Sequence, residues 1–420
     1  MFFLYQILLI ILLIFSPLII FFRIFKKKED KKRYKEKFCF PSKKRINGNL
    51  IWFHGSSVGE LLSILPLVQE LEKNKSINQI LVTTSTLSSA QIFKKFSFKK
   101  TIHQFFPIDS ILFSYKFLNY WRPTIAIFVE SEIWPSIFRV LNKKNIPLKL
   151  LNARITKKTF NKWMRVKKFS NSVFQNISIA YPQNEETLNY LKKLNVKKIK
   201  KIGNLKFFNN QQSKLTKLDN TFLKNINLKK IWCASSTHSG EEIICANVHI
   251  NLKKKYKNLL TIIIPRHIHR VNQIVNEIKS LDLNIVLHSS RPKKLNNTDI
   301  YLVDTYGETQ KFYHSSDIVF MGKSISGKGG QNPLEPTNLG STVLYGPNVD
   351  NFKDTYKLLN KLKVAYKVNG VKTLTQSIDK LITKPNNKKN YLKIAKMGKK
   401  ILNETKDEIN SLFNNEIKKT

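Results

Sequence analysis

Hydrophobic and polar positions divide the chain into three regimes. Met1 to Phe22 carries no charge, and only Gln6, Ser16 and Pro17 interrupt its apolar run. Such a run is long enough to span a bilayer. Beyond about Arg45, short apolar runs alternate with amphipathic stretches. Leu50–His54, Ile80–Thr84, Ile125–Val129, Leu148–Asn152 and Ile177–Tyr181 read as strands, continuous and apolar as strands of a buried parallel sheet should be. Between the first two, Leu61, Ile64, Leu65, Val68 and Leu71 recur on one face of a helix expected over Glu60–Glu72. Asn209–Lys230 is polar, rich in Asn and Lys, and reads as a linker. The alternation then restarts with Ile231–Ala234, Leu260–Ile264, Asn284–Leu287, Ile300–Val303, Ile318–Met321 and Val343–Tyr345. The tail reads as helical from Tyr391 to Phe413.

Two successive strand–helix series predict an α/β chain of two doubly wound, Rossmann-like domains facing each other across a cleft. The expected layout is a transmembrane anchor over 1–22, a basic juxtamembrane linker over 23–45, a first domain over 46–208, a linker over 209–229, and a second domain with C-terminal helices over 230–420. No basic region precedes the apolar run and no small-x-small cleavage site follows it, so a retained single-pass anchor is expected in preference to a signal peptide. Arg23, Lys26, Lys27, Lys28, Lys31, Lys32 and Arg33 follow at once, which by the positive-inside rule puts the rest of the chain on the cytoplasmic side.

A net charge of +45 invites a nucleic-acid reading. Only ten of the 73 basic residues are Arg, however, and Lys recurs everywhere instead of clustering beside aromatics. Solvated surface with a pull toward anionic lipid head groups fits better, and no nucleic-acid partner is expected. Cys39, Cys233 and Cys245 have no metal-like spacing, and their scarcity suits a reducing compartment.

In doubly wound sheets ligands bind beyond the carboxyl ends of the strands. Those ends carry His54–Glu60, Thr83–Thr86, Glu130–Glu132, Asn152–Arg154, Ala234–His238, Pro265–His267 and the glycine loop that follows Met321. In that loop, Gly322, Gly327, Gly329 and Gly330 let backbone approach a ligand, and Asn332-Pro333-Leu334-Glu335 reads as a helix start with Asn332 as N-cap. Free N–H groups and a positive dipole end would then face an anion, with Glu335 placed for a sugar hydroxyl. The same loop imitates a P-loop, but Gly329 stands where Ser or Thr must hold magnesium. Gly55-Ser56-Ser57-Val58-Gly59 matches a hydrolase nucleophile elbow, although only one strand precedes it. Ser57-x-x-Glu60 is equally a capping box, and Glu60 a carboxylate able to take a proton from a hydroxyl. Glu130 and Glu132 read either as caps or as a site. Lys206, between Gly203 and Phe207-Phe208, reads as held at the cleft, and Arg266 as a bidentate phosphate partner. His267 and His269 lack a carboxylate or Cys at ligand spacing and read as ordinary polar residues.

The ensemble of His-Gly-Ser-Ser-Val-Gly-Glu (54–60), Glu-Ser-Glu-Ile-Trp-Pro (130–135), Asn-Ala-Arg-Ile (152–155), Gly-Asn-Leu-Lys-Phe (203–207), Ala-Ser-Ser-Thr-His-Ser-Gly-Glu-Glu (234–242), Pro-Arg-His (265–267), Asp-Thr-Tyr-Gly-Glu (304–308) and Gly-Gly-Gln-Asn-Pro-Leu-Glu-Pro (329–336) resembles the bacterial 3-deoxy-D-manno-octulosonic acid (Kdo) transferases. The resemblance runs from the anchor to about residue 405. It implies a GT-B glycosyltransferase at the inner membrane that moves Kdo from CMP-Kdo onto a lipid A precursor, inverting and independent of metal or other cofactor. By motif, Glu60 would be the proton acceptor, and Glu130 with Lys206 would stabilise the transition state. Pro265, Arg266, Tyr306, Gly307, Glu308, Asn332, Pro333, Leu334 and Glu335 would bind CMP. Gly55, Ser56, Gln331, Tyr306 and Ile268 depart from the usual family choices and touch donor fit more than chemistry. The rival readings are a Ser57 hydrolase, a tethered nucleic-acid binder and a GT-B enzyme using a UDP-sugar.

Overall fold

The computed structural model describes residues 2–208, 218–227, 229–384 and 388–419. Phe2–Phe25 forms one helix, long and apolar enough to cross a membrane. The chain divides into two compact units, Met1–Phe208 with Gly398–Thr420, which includes this helix, and Asn209–Met397.

The first unit is built on β1 (Leu50–His54), β2 (Gln79–Thr84), β3 (Thr101–Phe105), β4 (Ile125–Val129), β5 (Leu148–Ala153) and β6 (Ile177–Pro182). They form one parallel sheet in the order β3-β2-β1-β4-β5-β6. The order reverses between β1 and β4, so their carboxyl ends open the crevice where such sheets bind ligands. Trp52, Phe128, Phe138 and Phe174 are fully buried in the core beneath it. The helix Val58–Leu71 begins at a complete capping box: the Ser57 N–H donates to Glu60 Oε2 at 2.9 Å, and the Glu60 N–H to Ser57 Oγ at 3.3 Å.

The second unit is built on β7 (Lys230–Thr237), β8 (Leu259–Pro265), β9 (Ile285–Leu287), β10 (Ile300–Leu302), β11 (Ile318–Met321), β12 (Thr342–Tyr345) and β13 (Ala365–Lys367). This sheet too is parallel, ordered β13-β12-β11-β7-β8-β10-β9, with its reversal between β11 and β7.

Three expectations are corrected. The strands β3 and β13 are absent from the sequence reading. Each lies at the end of its sheet, and Thr-Ile-His-Gln-Phe and Ala-Tyr-Lys lack the apolar continuity of strands covered on both faces. The linker expected over 209–229 contains a helix, Asn220–Ile226, whose Phe222 ring lies 4.8 Å from that of Tyr301, tilted by 51°; residues 209–217 and 228 lie outside the described residues. The tail was expected to belong wholly to the second domain. It is one helix, Lys388–Ile417, and from Gly398 onward it belongs to the first unit. Gly398 makes this possible, because a Cβ there would sit 2.4 Å from the Phe207 carbonyl oxygen. Beyond it Ile409 and Phe413 are fully buried, and Glu408 accepts the Tyr181 hydroxyl at 2.9 Å and pairs with Lys200 at 2.5 Å.

Candidate active site

The loops after β1 and β4 bring three carboxylates together in the first unit. Glu132 Oε2 accepts His54 Nε2 at 3.1 Å, Ser56 Oγ at 2.5 Å and Trp134 Nε1 at 2.8 Å. Burial alone would raise the Glu132 carboxyl, but these hydrogen bonds, His54 foremost, outweigh it and hold it below the usual range. His54 is fully enclosed, and burial pushes its pKa down, so at neutral pH an uncharged imidazole makes these contacts. Its Nδ1 lies 3.0 Å from Thr83 Oγ1 on β2. Glu132 is therefore the brace between the two strand ends, an arrangement that the choice between cap and site does not anticipate.

Glu60 is 7% exposed. Burial first, and then the charges of Glu132 and Glu130, push its carboxyl up to about 7 against the opposing hydrogen bonds from Ser57. A capped carboxylate kept fully ionised by the helix dipole is the simpler expectation from Ser57-x-x-Glu60. It is incorrect here because desolvation and two like charges exceed what a helix terminus contributes. A base titrating near 7 is matched to proton abstraction near neutrality.

Glu130 adopts φ 57°, a left-handed conformation unusual for a non-glycine residue. It is held there by its N–H donating to the Leu151 carbonyl at 2.9 Å and its carbonyl accepting the Arg154 N–H at 3.2 Å. Such conformations persist where surrounding structure over-determines them. The turn turns the carboxylate to Lys206, whose Nζ lies 2.5 Å from Glu130 Oε1. Lys206 sits in a one-turn helix, Leu205–Phe207, tied to β5 through Asn152, whose Oδ1 accepts the Leu205 N–H at 3.1 Å. The structure thus brings Glu60, Glu130 and Lys206 into one unit and pairs the last two with each other.

In the second unit the loops after β7 and β11 meet through Glu241, a residue that the sequence reading placed in a motif without a role. Its carboxylate is fully buried. Oε2 accepts the N–H groups of His238 at 2.9 Å and Lys323 at 2.6 Å, and Oε1 those of Ser324 at 3.0 Å, Ile325 at 3.0 Å and Ser326 at 3.4 Å. The first half of the glycine loop therefore does not offer free N–H groups to an outside anion, as expected from its glycines. Those donors are spent on an internal one. Gly322 is required at this junction, since a Cβ would stand 2.5 Å from the Ser236 carbonyl oxygen. Glu242, also fully buried, takes both ends of the Arg270 guanidinium at 3.0 and 3.3 Å.

The candidate nucleotide residues surround this edge. Pro265 closes β8, paired with Thr237. The next residue, Arg266, is exposed, and its guanidinium makes no hydrogen bond among the described residues. Tyr306 is 71% exposed beside Gly307 at φ 87°. Glu308 is engaged by Lys311 at 2.7 Å, Thr305 at 2.9 Å and His288 at 2.5 Å, and these contacts, the Lys311 ammonium first, hold its carboxyl down to about 2. Asn332 is not the N-cap expected: the helix is the short Leu334–Asn338, its N-cap is Pro333, and the Asn332 Oδ1 accepts the Leu334 N–H at 3.2 Å. Proline fixes the φ that the helix entry needs, so the cap falls one residue later. Glu335 is exposed on that turn, and its charge helps raise the buried Tyr313 phenol, which lies 2.6 Å from Ser235 Oγ. No cluster of three or more His, Cys, Asp or Glu side chains suited to a metal occurs among the described residues.

Comparison with known proteins agrees on the class. A family model described as 3-deoxy-D-manno-octulosonic-acid transferase (kdotransferase) matches residues 32–209. The 3-deoxy-D-manno-octulosonic acid transferase of Rickettsia bellii is 34% identical over 92% of this chain and 93% of its own. That of Haemophilus influenzae is 29% identical over 86% and 85%. Among solved structures, UDP-GlcNAc 2-epimerase from Neisseria meningitidis superposes with a TM-score of 0.59 at 15% identity, over 87% of this chain and all of that one. That likeness concerns fold alone. Two parallel α/β sheets of this order have the GT-B architecture. The chain belongs to the Kdo transferases, the family that transfers Kdo in lipopolysaccharide biosynthesis.

Proposed function

We propose that the chain transfers Kdo from CMP-Kdo to a lipid A precursor (lipid IVA) by a single inverting displacement that needs no divalent metal. The observation that carries this reading is Glu60: a buried carboxyl brought to about 7, fixed by Ser57 and set near the Glu130–Lys206 pair. In the proposed step a hydroxyl of the acceptor loses its proton to Glu60 as its oxygen attacks the anomeric carbon of Kdo. The bond from that carbon to the CMP phosphate oxygen breaks with its electron pair, and CMP departs as an anion. Lys206, oriented by Glu130, lowers the energy of the charge that develops. On the second unit, Arg266 would meet the phosphate and Glu335 the ribose hydroxyls, with Pro265, Tyr306, Gly307, Glu308, Asn332, Pro333 and Leu334 shaping the CMP site. Glu308 would act there through the network it forms with His288 and Lys311.

The apolar helix Phe2–Phe25 and the basic residues after it support attachment at the inner membrane, with both units on the cytoplasmic side and drawn to anionic lipid. The deciding experiment incubates purified protein with CMP-Kdo and a tetraacyl lipid A precursor and weighs the lipid by mass spectrometry. Addition of Kdo with release of CMP is expected, and persists when divalent metal is chelated. Turnover of a UDP-sugar in place of CMP-Kdo, or an unchanged lipid, would overturn the proposal.

A further inference from the structure

The apolar helix is seated on the first unit along one face. Its less exposed positions are Phe2, Tyr5, Gln6, Leu9, Leu13, Ser16, Ile20, Arg23 and Ile24. Intervals of three and four residues put them on one side of the helix from end to end. At the first turn, Tyr5 donates its hydroxyl proton to Asp109 Oδ2 at 2.7 Å and Gln6 Nε2 donates to Ser136 Oγ at 2.9 Å. Phe2 and Tyr5 lie 6.3 and 5.8 Å from the Phe169 ring, and the Arg139 guanidinium stands 4.4 Å over Phe2. At the last turn, Arg23 meets the buried Glu29 at 3.1 Å, and Lys37 meets the same carboxylate at 2.6 Å. Arg33 then fastens this segment to β3 through the His103 carbonyl at 2.9 Å.

These contacts conflict with a span. A helix of 24 residues is about 36 Å long, and a spanning one would separate Phe2 from Arg23 by a hydrocarbon core of about 30 Å. Asp109, Ser136 and Arg139 cannot follow Phe2 across that core without burying polar groups in lipid. The opposite face is apolar and exposed: Phe3, Ile7, Ile10, Ile14, Leu18 and Phe21 all project from the unit. Charge points the same way. Exposed cations flank both ends, with Lys26, Lys27 and Lys28 just past the last turn, Arg139 over Phe2 at the first, and Lys167 and Lys168 next in the chain to the Phe169 that packs on that turn. A spanning anchor needs its cations on one side only.

We infer that the helix lies in the plane of one leaflet, its exposed face in the acyl region and the cations at both ends among anionic head groups. The inference rests on the reading of this helix as a membrane anchor and replaces a span with a monotopic seat. Asp109 extends the seat toward the site, because its other contacts are the Ser136 and Ile137 N–H groups at 3.0 and 2.9 Å, at the start of the helix Pro135–Lys143 that follows Glu130–Trp134.

Two measurements on the full chain in native membranes test it. In the F2C/R139C variant, a short bismaleimide should join the two new thiols, since Cys39, Cys233 and Cys245 are buried; a limited-proteolysis pattern of the first unit matching that of the parent chain reports that this variant is folded. In the otherwise unaltered chain, a short neutral epitope placed before Met1 should be removed by protease only when the cytoplasmic face is exposed. Failure of the crosslink in folded protein, or loss of the epitope from the outer face, overturns the in-plane helix and leaves membrane anchoring intact. Recovery of the chain in the soluble fraction overturns the anchoring as well.

Discussion

The Lys206 ammonium lies 2.5 Å from the Glu130 carboxylate, whose side chain is only 6% exposed against 21% for the lysine. The lysine is the partially hydrated partner, so removing it strands a buried negative charge. Lys206→Ala should therefore cost about 3 kcal/mol in stability, while the K206A/E130Q double variant recovers most of that loss. Thermal melting of the purified protein reads this. Transfer should remain low in the double variant, because restored packing does not restore the charges. A double variant that melts normally and turns over at the parent rate would remove the pair from the chemistry.

Replacing Glu60 by Gln should lower Kdo transfer by about 10²–10⁴ while CMP binding persists. Ser57→Ala removes one capping contact, worth about 1 kcal/mol of stability, and should keep substantial activity. A Ser57→Ala protein that is folded and inactive would instead favour the hydrolase reading.

The Glu60 carboxyl at about 7 also fixes the sign of two pH effects. The base is competent only when deprotonated, so the transfer rate should climb with pH and level off above about 7. Stability moves oppositely. A carboxyl with a folded pKa above its unfolded value contributes stability that is complete below about 4.5 and is lost as pH rises through about 7. Glu60→Gln should accordingly raise the melting temperature above pH 7, by at most about 3 kcal/mol in free energy, and have little effect at pH 4. Melting curves that shift equally at both values would contradict a raised Glu60.

Glu241→Gln places an amide NH₂ among backbone N–H donors that now share a carboxylate. Lys323–Ser326 should loosen, becoming a site of proteolytic cutting, and CMP affinity should drop about tenfold or more without any lost nucleotide contact. Calorimetry giving the parent affinity would separate this loop from donor binding.

Arg266→Ala and Glu335→Ala should each weaken CMP by about 1.5–3 kcal/mol, on the order of tenfold or more. Only the arginine variant should also flatten the salt dependence, since it alone removes a cation from the phosphate. Unchanged binding in either variant takes that residue out of the site.

The chain's local chemistry determined which strands are buried, because continuous apolar runs such as Leu50–His54 and Ile318–Met321 have no polar face to turn to water. It determined the capping box at Ser57 and Glu60, whose partners are three residues apart. It carried the family as well: the ordered motifs resemble the Kdo transferases, and the Rickettsia bellii member of that family is 34% identical. Tertiary structure decided the rest. Edge strands β3 and β13 depend on a neighbour for their hydrogen bonds and not on their own hydrophobicity. The Gly398–Thr420 segment returns to the first unit because of what it packs on. Above all, the role of each acid was decided by its surroundings. Glu60, Glu132, Glu241 and Glu308 are one side chain in the sequence. Burial and like charges make the first a base near 7, donors of different kinds make the second a brace and the third an internal anchor, and a lysine holds the fourth ionised. A carboxylate's function follows from the charges and dipoles around it, and most of those are brought to it by segments distant in the chain.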